Sequence, residues 1–195
     1  TTLMISDLFV IAEQLGCVWK LEKLCRNKAL KAAVEKPEKV KLFLNVDGNI
    51  IQDKAFIQGF TNRKAMKAGV PASDIVFEIT ERSDIENYQI LQQIMKHYAD
   101  QGYEIALDDV GAGHSGLNRV VNTTPDYLKA DIELVRDIYK YKKKEIMMKL
   151  LLDYCNATGS ILIAEGIETA QELECLHSLG VHYGQGFFLG KPERA

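Results

Sequence analysis

Three apolar runs of strand length in this chain each end in acidic residues. The runs and their acids are Ile75–Phe77 with Glu78, Ile105–Leu107 with Asp108 and Asp109, and Ile161–Ala164 with Glu165. An ionised carboxylate at the end of a buried strand is costly unless a cation or a hydrogen-bond network meets it. The segments between the runs have helical patterns, and a parallel sheet closed into a barrel brings the carboxyl ends of its strands to one rim. The acids therefore predict a metal cage on such a rim.

The composition is that of one globular domain. The chain has 195 residues, of which 47% are hydrophobic and 26% charged, enough for a substantial core. Its formal net charge of -3 argues against binding to polymeric nucleic acid, because no basic stripe dominates the surface. The one basic cluster, Lys140 with Lys142–Lys144, is interpreted as a solvated helix start rather than as a phosphate contact.

The cysteines and the apolar segments bear on the compartment. Cys17, Cys25, Cys155 and Cys175 form no CxxC pair and have no zinc-site spacing with the histidines, so we expect each thiol to fill a small space in the core. This usage is typical of a reduced, cytoplasmic chain. No apolar segment approaches the ~20 residues of a membrane span, so we expect no membrane contact within these residues. Any membrane tether of a parent protein is expected to lie outside them.

Periodicity and turn residues predict the helices. Asp7 is the predicted cap of a first helix that ends at Gly16, and a second helix is predicted over Val18–Val34. The apolar stripe of the second helix consists of Trp19, Leu21, Leu24, Cys25 and Leu30. Further helices are predicted to end near Gly69, to span Glu86–Asp100 and Lys143–Ala157, and to run from a cap at Thr169 to Leu179.

The strand signals predict a sheet that is short of a closed barrel. Strands are predicted at Lys41–Val46, Ile75–Thr80, Glu104–Asp108, Tyr127–Ala130, Ser160–Glu165 and near Gln185–Leu189. Six or seven strands are fewer than the eight of a TIM-type barrel, and the chain starts on a helix where such a barrel has a strand.

Six motifs resemble, in order, those of the EAL domain, the bacterial phosphodiesterase that hydrolyses cyclic di-GMP. They are Leu44–Val46, Glu78–Glu81, Asp108–Ser115, Pro125–Asp131, Ala164–Thr169 and Gln185–Phe187. The resemblance covers nearly the whole chain. It implies a TIM-like (β/α)8 barrel over residues 1–195, which we expect to be incomplete at its N-terminus because the E-A-L motif is absent and the chain opens just downstream of it. It also implies cyclic di-GMP as partner and a homodimer.

The resemblance assigns a role to each matching residue. Asn45, Glu78 and Asp108 are implied to ligate one Mg²⁺ or Mn²⁺ ion, and Asp109 a second. Further implied roles are catalysis by Lys129, which positions the water, and by Glu165, the general base; a guanine contact by Gln185; and bracing of the loop from Gly111 to Gly116 by Glu81 and Glu168. Hard oxygen ligands suit these ions, and a two-metal site can stabilise in-line displacement at a phosphodiester.

Each of these residues has an ordinary explanation when taken alone. An acid at a strand end is commonly a helix cap, Lys129 an ion-pair partner and Gln185 a surface amide. Six motifs in family order outweigh these explanations, but three functions remain open for this chain. They are a metal-dependent phosphodiesterase that opens cyclic di-GMP to linear pGpG, an inactive cyclic di-GMP receptor, and a regulatory dimerisation module. The receptor and the dimerisation module stay open because four loop residues depart from the family pattern. They are Val110, Ala112, His114 and Gly116.

Overall fold

The computed structural model describes residues 5–48, 50–79, 88–111 and 116–193. The chain divides into two compact units. The described part of unit 1 comprises residues 5–48, 50–77 and 88–104, and that of unit 2 comprises residues 78–79, 105–111 and 116–193. Among the predicted site residues, Asn45 belongs to unit 1. Unit 2 contains Glu78, Asp108, Asp109, Lys129, Glu165, Glu168 and Gln185.

One or two α-helices precede each strand along the described residues. The α-helices are α1 (Ile5–Gln14), α2 (Val18–Ala32), α3 (Phe60–Ala68), α4 (Tyr88–Ala99), α5 (Gly116–Asn122), α6 (Ile132–Val135), α7 (Lys142–Thr158) and α8 (Ala170–Leu179). The strands are β1 (Leu42–Val46), β2 (Ile75–Ile79), β3 (Glu104–Val110), β4 (Tyr127–Ala130), β5 (Ile161–Ala164) and β6 (Tyr183–Gly184). They form one sheet in the order β1-β2-β3-β4-β5-β6, and the pairs from β3 to β6 are parallel. This order confirms the predicted α/β class, in which helices connect parallel strands.

In unit 1, the buried face of α2 differs from the predicted apolar stripe. Trp19 and Leu30 are buried as expected, but Leu24 is 52% exposed and Cys25 is exposed. The buried face instead contains Glu22 and Arg26, which lie one turn apart and form an ion pair. The prediction was wrong for Leu24 and Cys25, because two charged side chains that neutralise each other occupy part of the inner face of the helix.

Unit 2 is organised around parallel strands and well-capped helices. Strands β4 and β5 pair in register along all four residues, from Tyr127 opposite Ile161 to Ala130 opposite Ala164. Each residue of β4 is buried, which is typical of a parallel strand covered on both faces. Helix α8 begins at the predicted cap, Thr169, and ends before Gly180. The regular part of the sheet therefore holds the ends of β4 and β5 side by side.

Several predicted boundaries are wrong. Helix α1 begins at Ile5, so Asp7 lies within its first turn and does not cap it. Strand β3 continues to Val110, two residues beyond its predicted end. Strand β6 comes earlier than predicted and contains only two residues, so Gln185 follows the strand. A two-residue strand has no periodic pattern from which its position can be predicted.

Two short helices and the state of the cysteines also differ from expectation. Helices α5 and α6, of seven and four residues, were missed because they carry little helical periodicity. Of the four cysteines only Cys155 is buried, so the expectation that each thiol fills core space is wrong for the other three. Within the described ranges, none of the helices combines the length and apolar character that crossing a bilayer requires.

Candidate active site

The ammonium group of Lys129 lies among carboxylates from three strand ends. Its Nζ is 2.6 Å from Oε1 of Glu78, 3.0 Å from Oδ1 of Asp108 and 2.5 Å from Oε1 of Glu165. These side chains come from β2, β3 and the residue directly after β5, and Lys129 itself is on β4. None of the four side chains is more than 13% exposed. The acids that follow apolar runs in the sequence therefore converge, as predicted.

A bulge in β3 brings two consecutive aspartates to this cluster. Between Leu107 and Val110 the register of β3 against β4 shifts, so that Asp108 and Asp109 together oppose Lys129. Neighbouring side chains of a regular strand point to opposite faces, whereas a bulge can redirect one of them. Asp109 has a φ of 58°, in the left-handed region that aspartate tolerates better than most residues. Carboxylate oxygens of the two aspartates consequently lie within 4.8 Å of each other.

The backbone after β5 fixes the position of Glu165. The Glu165 N–H donates to the carbonyl of Ala130 at 3.0 Å, which fastens the residue to the end of β4. Gly166, which follows, has a φ of 68°, and a Cβ there would lie 2.3 Å from Cγ1 of Ile132. A glycine is therefore needed for the chain to turn immediately behind the carboxylate.

The side chain of Gln185 also contacts the Glu165 carboxylate. Its Nε2 donates to Oε1 of Glu165 at 2.6 Å, the same oxygen that Lys129 contacts. Its backbone N–H donates to the carbonyl of Ala164, and its carbonyl accepts from the N–H of Ile167. The contact of Gln185 with a guanine base stays a prediction. The sequence did not indicate the hydrogen bond between Gln185 and Glu165.

Burial and neighbouring charges change the proton affinities in this cluster. Burial raises the pKa of Glu165 to about 7, although the hydrogen bond from Lys129 opposes the rise. Burial also raises the pKa of Glu78, against the attraction of the same ammonium group. Burial by itself lowers the pKa of Lys129, but Glu78 and Asp108 outweigh it and raise that pKa above the usual value. The lysine therefore stays charged. Its single positive charge cannot neutralise all the carboxylates around it.

Glu172 is a buried carboxylate that the sequence analysis did not single out. It is 1% exposed and accepts hydrogen bonds from the backbone N–H groups of Asp137, Glu168 and Thr169 at 2.9–3.0 Å. It thereby connects the turn after α6 to the loop that follows Glu165. The spacing of Thr169 and Glu172, three residues apart at a helix start, is the capping-box signal that could have identified it.

The remaining predicted site residues have different outcomes. Glu168 forms an ion pair with Arg136 at 2.5 Å, and its bracing of the glycine-rich loop stays a prediction because residues 112–115 lie outside the described ranges. Glu81 also lies outside them. Asn45 is the fourth residue of β1, exposed between the buried Leu44 and Val46. Its role as a metal ligand stays a prediction.

The acidic cluster suits a hard divalent cation. Asp108, Asp109 and Glu165 each offer one carboxylate oxygen, and the three oxygens all lie within 4.8 Å of one another. Carboxylate oxygens are the ligands that Mg²⁺ and Mn²⁺ prefer. Because one ammonium group balances only one of these negative charges, a divalent cation relieves the repulsion that remains. The oxygens of Asp108, Asp109 and Glu165 therefore fit such a cation, whereas the ligand set predicted from the sequence, in which Glu165 is the general base, stays a prediction.

Comparison with known proteins gives a family match and several distant relatives. The family model described as the EAL domain matches residues 1–192. The cyclic di-GMP phosphodiesterase PdeB of Shewanella oneidensis is 25% identical over 150 residues, which are 77% of this chain and 17% of the relative. The cyclic di-GMP phosphodiesterase PdeA of Borreliella burgdorferi is 26% identical over 191 residues, which are 96% of this chain and 28% of the relative. The chain thus spans less than a third of the length of these relatives.

Solved structures share the fold. BlrP1 of Klebsiella pneumoniae, in a complex with calcium and cyclic di-GMP, superposes with a TM-score of 0.81 and 29% identity over 87% of this chain and 43% of that chain. A manganese complex of BlrP1 with the same nucleotide has the same TM-score and identity. This likeness confirms the fold that was predicted from the six motifs.

Proposed function

We propose that this chain, which belongs to the EAL domain family, acts over residues 1–195 as one phosphodiesterase domain that hydrolyses cyclic di-GMP to linear pGpG in bacterial second-messenger signalling. The observation that carries the proposal is the convergence of Glu78, Asp108 and Glu165 on the Nζ of Lys129. The names of the relatives support the substrate. The cyclic di-GMP complexes of BlrP1 with calcium and manganese support both the nucleotide and a divalent cation.

Four side chains are proposed to hold Mg²⁺ or Mn²⁺. They are Asn45, Glu78, Asp108 and Asp109, all oxygen donors. When bound, the ions supply Lewis-acid stabilisation of the phosphodiester and lower the pKa of an attacking water. The bulge at Asp108 and Asp109 serves this role because it directs two carboxylates from one strand end into the same cluster.

Glu165 is the proposed general base. Its carboxylate accepts a proton from a water molecule whose oxygen attacks phosphorus, and the bond from phosphorus to the 3′ oxygen breaks. The products are a 5′-phosphate and a free 3′-hydroxyl, so one water opens the ring and no other reactant is consumed. A base with a pKa of about 7 is suited to this task, since it is ionised in a substantial fraction near neutral pH and still accepts a proton readily.

Lys129 and Gln185 are proposed to support this base. The Lys129 ammonium attracts the anionic phosphodiester, and its contact at 2.5 Å orients the Glu165 carboxylate. The hydrogen bond from Gln185 holds the same oxygen, which leaves Oε2 of Glu165 as the oxygen for proton transfer. A guanine contact by Gln185 is part of the proposal, as is bracing of the loop by Glu81 and Glu168.

The assembly and the compartment are further parts of the proposal. We expect a homodimer, and exposed apolar side chains such as Ile146 (52%) and Leu150 (58%) on α7 support a protein contact on unit 2. Light scattering of the purified protein measures this oligomeric state. A cytoplasmic location agrees with the four free cysteines. Fractionation of expressing cells measures this location.

The experiment is a chromatographic assay of cyclic di-GMP conversion with Mn²⁺. We expect the purified protein to form linear pGpG, and Glu165→Gln to reduce turnover by about 10² to 10⁴, the usual contribution of a general base, with the Kd for the nucleotide unchanged. Glu174→Gln, at an exposed position on α8, is the matched control and should retain full turnover. Tight binding without cleavage in the unsubstituted protein would instead identify an inactive receptor, and neither binding nor cleavage would leave the dimerisation module.

A further inference from the structure

Unit 1 contains a buried ion pair that the proposed chemistry does not use. Glu22 and Arg26 on α2 are each only 2% exposed, and NH2 of Arg26 donates to Oε2 of Glu22. Arg26 also donates to Oγ1 of Thr61 on α3 and to the hydroxyl of Tyr98 on α4, both at 3.0 Å. The pair is electrically balanced and connects three helices of this unit.

Aromatic rings enclose the guanidinium group. The Cζ atom of Arg26 lies 5.2 Å from the ring centroid of Trp19, 5.1 Å from that of Phe77 and 5.7 Å from that of Tyr98. Such an enclosure removes the ion pair from water, and the desolvation cost of a buried pair often equals what its charges regain. Stability alone is therefore a weak reason for this arrangement. The contacts of the ion pair with the rest of the unit indicate a role in positioning other groups.

The second oxygen of Glu22 is directed to the end of β1. Oε1 of Glu22 accepts the backbone N–H of Asp47 at 2.7 Å. Asp47 is the first residue after β1 and comes two residues after Asn45. The carboxylate thus fixes the peptide group at the strand end that presents the Asn45 side chain.

The segment after Asp47 is fastened to the same helix a second time. The backbone N–H of Trp19 donates to Oδ2 of Asp53 at 3.3 Å, and the ring of Phe56 packs on the ring of Trp19 with centroids 4.8 Å apart. Helix α2 therefore holds the chain both where β1 ends and six to nine residues later. These contacts with the buried face of α2 restrict rotation of the backbone at the end of β1.

We propose that Glu22 is a positioning residue that orients Asn45 for metal binding, by holding the Asp47 N–H with a carboxylate that Arg26 keeps in place. The inference rests on the proposed function, in which Asn45 is a metal ligand. Groups behind a metal ligand orient it, and their loss commonly costs 10- to 100-fold in metal affinity. Because Glu22 acts through the backbone two residues away, we expect the low end of that range.

The main test removes both charges and keeps the volume. The double substitution Glu22→Leu with Arg26→Met leaves no unpaired buried charge, so the fold should survive, and it deprives the Asp47 N–H of its acceptor. Calorimetry should give a Kd for Mn²⁺ that is about tenfold higher than in the unsubstituted protein. Thr61→Val is the matched control: it removes a partner of Arg26 but leaves the Asp47 contact, and its Kd should change by less than about twofold.

A second background separates positioning from general damage. In a protein that already carries Asn45→Ala, the Glu22→Leu/Arg26→Met pair should cause no additional loss of Mn²⁺ affinity, because Glu22 acts only through Asn45. An equal loss in proteins with and without Asn45 would overturn the proposal, and so would a Kd that the double substitution leaves unchanged in the protein that retains Asn45.

Amide hydrogen exchange keeps the inference separable from the proposed function. In metal-free protein the amide of Asp47 should exchange at least about tenfold faster in the double variant and at an unchanged rate in Thr61→Val, since only the former loses the acceptor. If the unsubstituted protein binds no Mn²⁺, the proposed metal site fails, and this exchange rate decides whether Glu22 holds the strand end. Unchanged exchange at Asp47 in the double variant contradicts the inference whatever the metal does.

Discussion

Each of the two units buries a cation beside carboxylate, but the charge balance differs. In unit 2, one ammonium group, that of Lys129, meets carboxylates from three strand ends. In unit 1, the guanidinium of Arg26 meets the single carboxylate of Glu22, and its remaining contacts are hydroxyl groups and aromatic rings. The first cluster has an excess of negative charge, whereas the second is neutral and enclosed.

This difference indicates what each cluster can do. Burial, with a smaller contribution from the Asp108 carboxylate, raises the pKa of Glu165 to about 7. The excess of carboxylate leaves oxygen donors available to a divalent ion. A balanced pair inside aromatic rings attracts no ion and can only hold neighbouring groups in place. Buried charge therefore occurs both in the proposed binding site of unit 2 and in the proposed support of unit 1, and the ratio of acids to cations distinguishes the two clusters.

Removal of each buried cation should have different consequences in the two units. Arg26→Met leaves Glu22 buried without a counter-charge and should reduce the free energy of unfolding by ~3–5 kcal/mol. Lys129→Met should also destabilise the metal-free protein, because the carboxylates of Glu78, Asp108 and Glu165 lose the ammonium group that they share. Mn²⁺ should recover most of the loss in Lys129→Met and none in Arg26→Met. Urea unfolding with Mn²⁺ and with a chelator measures both effects.

Lys149→Met is the control for this pair of substitutions. Its side chain is 50% exposed and pairs with Asp153 on the surface of α7, so the free energy of unfolding should change little. Equal recovery of both cation variants by Mn²⁺, or recovery of neither, would show that the two clusters do not differ in the way proposed.

A smaller effect is expected in the pH dependence of stability. The folded state raises the pKa of Glu165 from 4.5 to about 7, so between these values the folded protein binds more protons than the unfolded chain. The free energy of unfolding of metal-free protein should therefore fall as pH rises from about 4.5 to about 7, by at most ~3 kcal/mol from this residue. Glu165→Gln should flatten the fall, as measured by urea unfolding in chelator at several pH values. Identical pH profiles for the two proteins would contradict the assigned pKa.

The smallest predicted effect concerns Gln185. Gln185→Leu removes the donor at 2.6 Å from Glu165, so kcat for cyclic di-GMP should fall about tenfold, the size expected for one hydrogen bond to a charged group. Gln171→Leu, at an exposed position on α8, should leave kcat unchanged. An unchanged kcat with a raised KM in Gln185→Leu would assign this residue to the guanine base alone.

Most of the acidic cluster could be predicted from the sequence because its acids come at strand ends. Glu78, Asp108 and Glu165 each come at the end of an apolar strand, and parallel strands bring such ends together whatever the connecting loops do. Lys129 was identified by its motif and lies on β4, between the strands that bear these acids. Positions that depend only on strand order were therefore predictable.

Features that depend on side-chain packing were not predictable. Glu22 and Arg26 look like ordinary surface charges in sequence, and only the rings and hydroxyls around them reveal that they face inward. The β3 bulge shows no pattern that distinguishes it from a regular strand. The bond between Gln185 and Glu165 depends on where a two-residue strand ends, which was predicted wrongly.

Calorimetry with Mn²⁺ measures whether the excess of acid in unit 2 binds a divalent cation. We expect measurable binding by the unsubstituted protein and loss of that binding in Asp108→Ala, because this carboxylate takes part both in the ion pair with Lys129 and in the group of converging oxygens. Asp153→Ala, at an exposed position on α7, should bind Mn²⁺ as the unsubstituted protein does. Equally tight binding before and after Asp108→Ala, or no binding in either protein, would show that the acidic cluster is not a cation site.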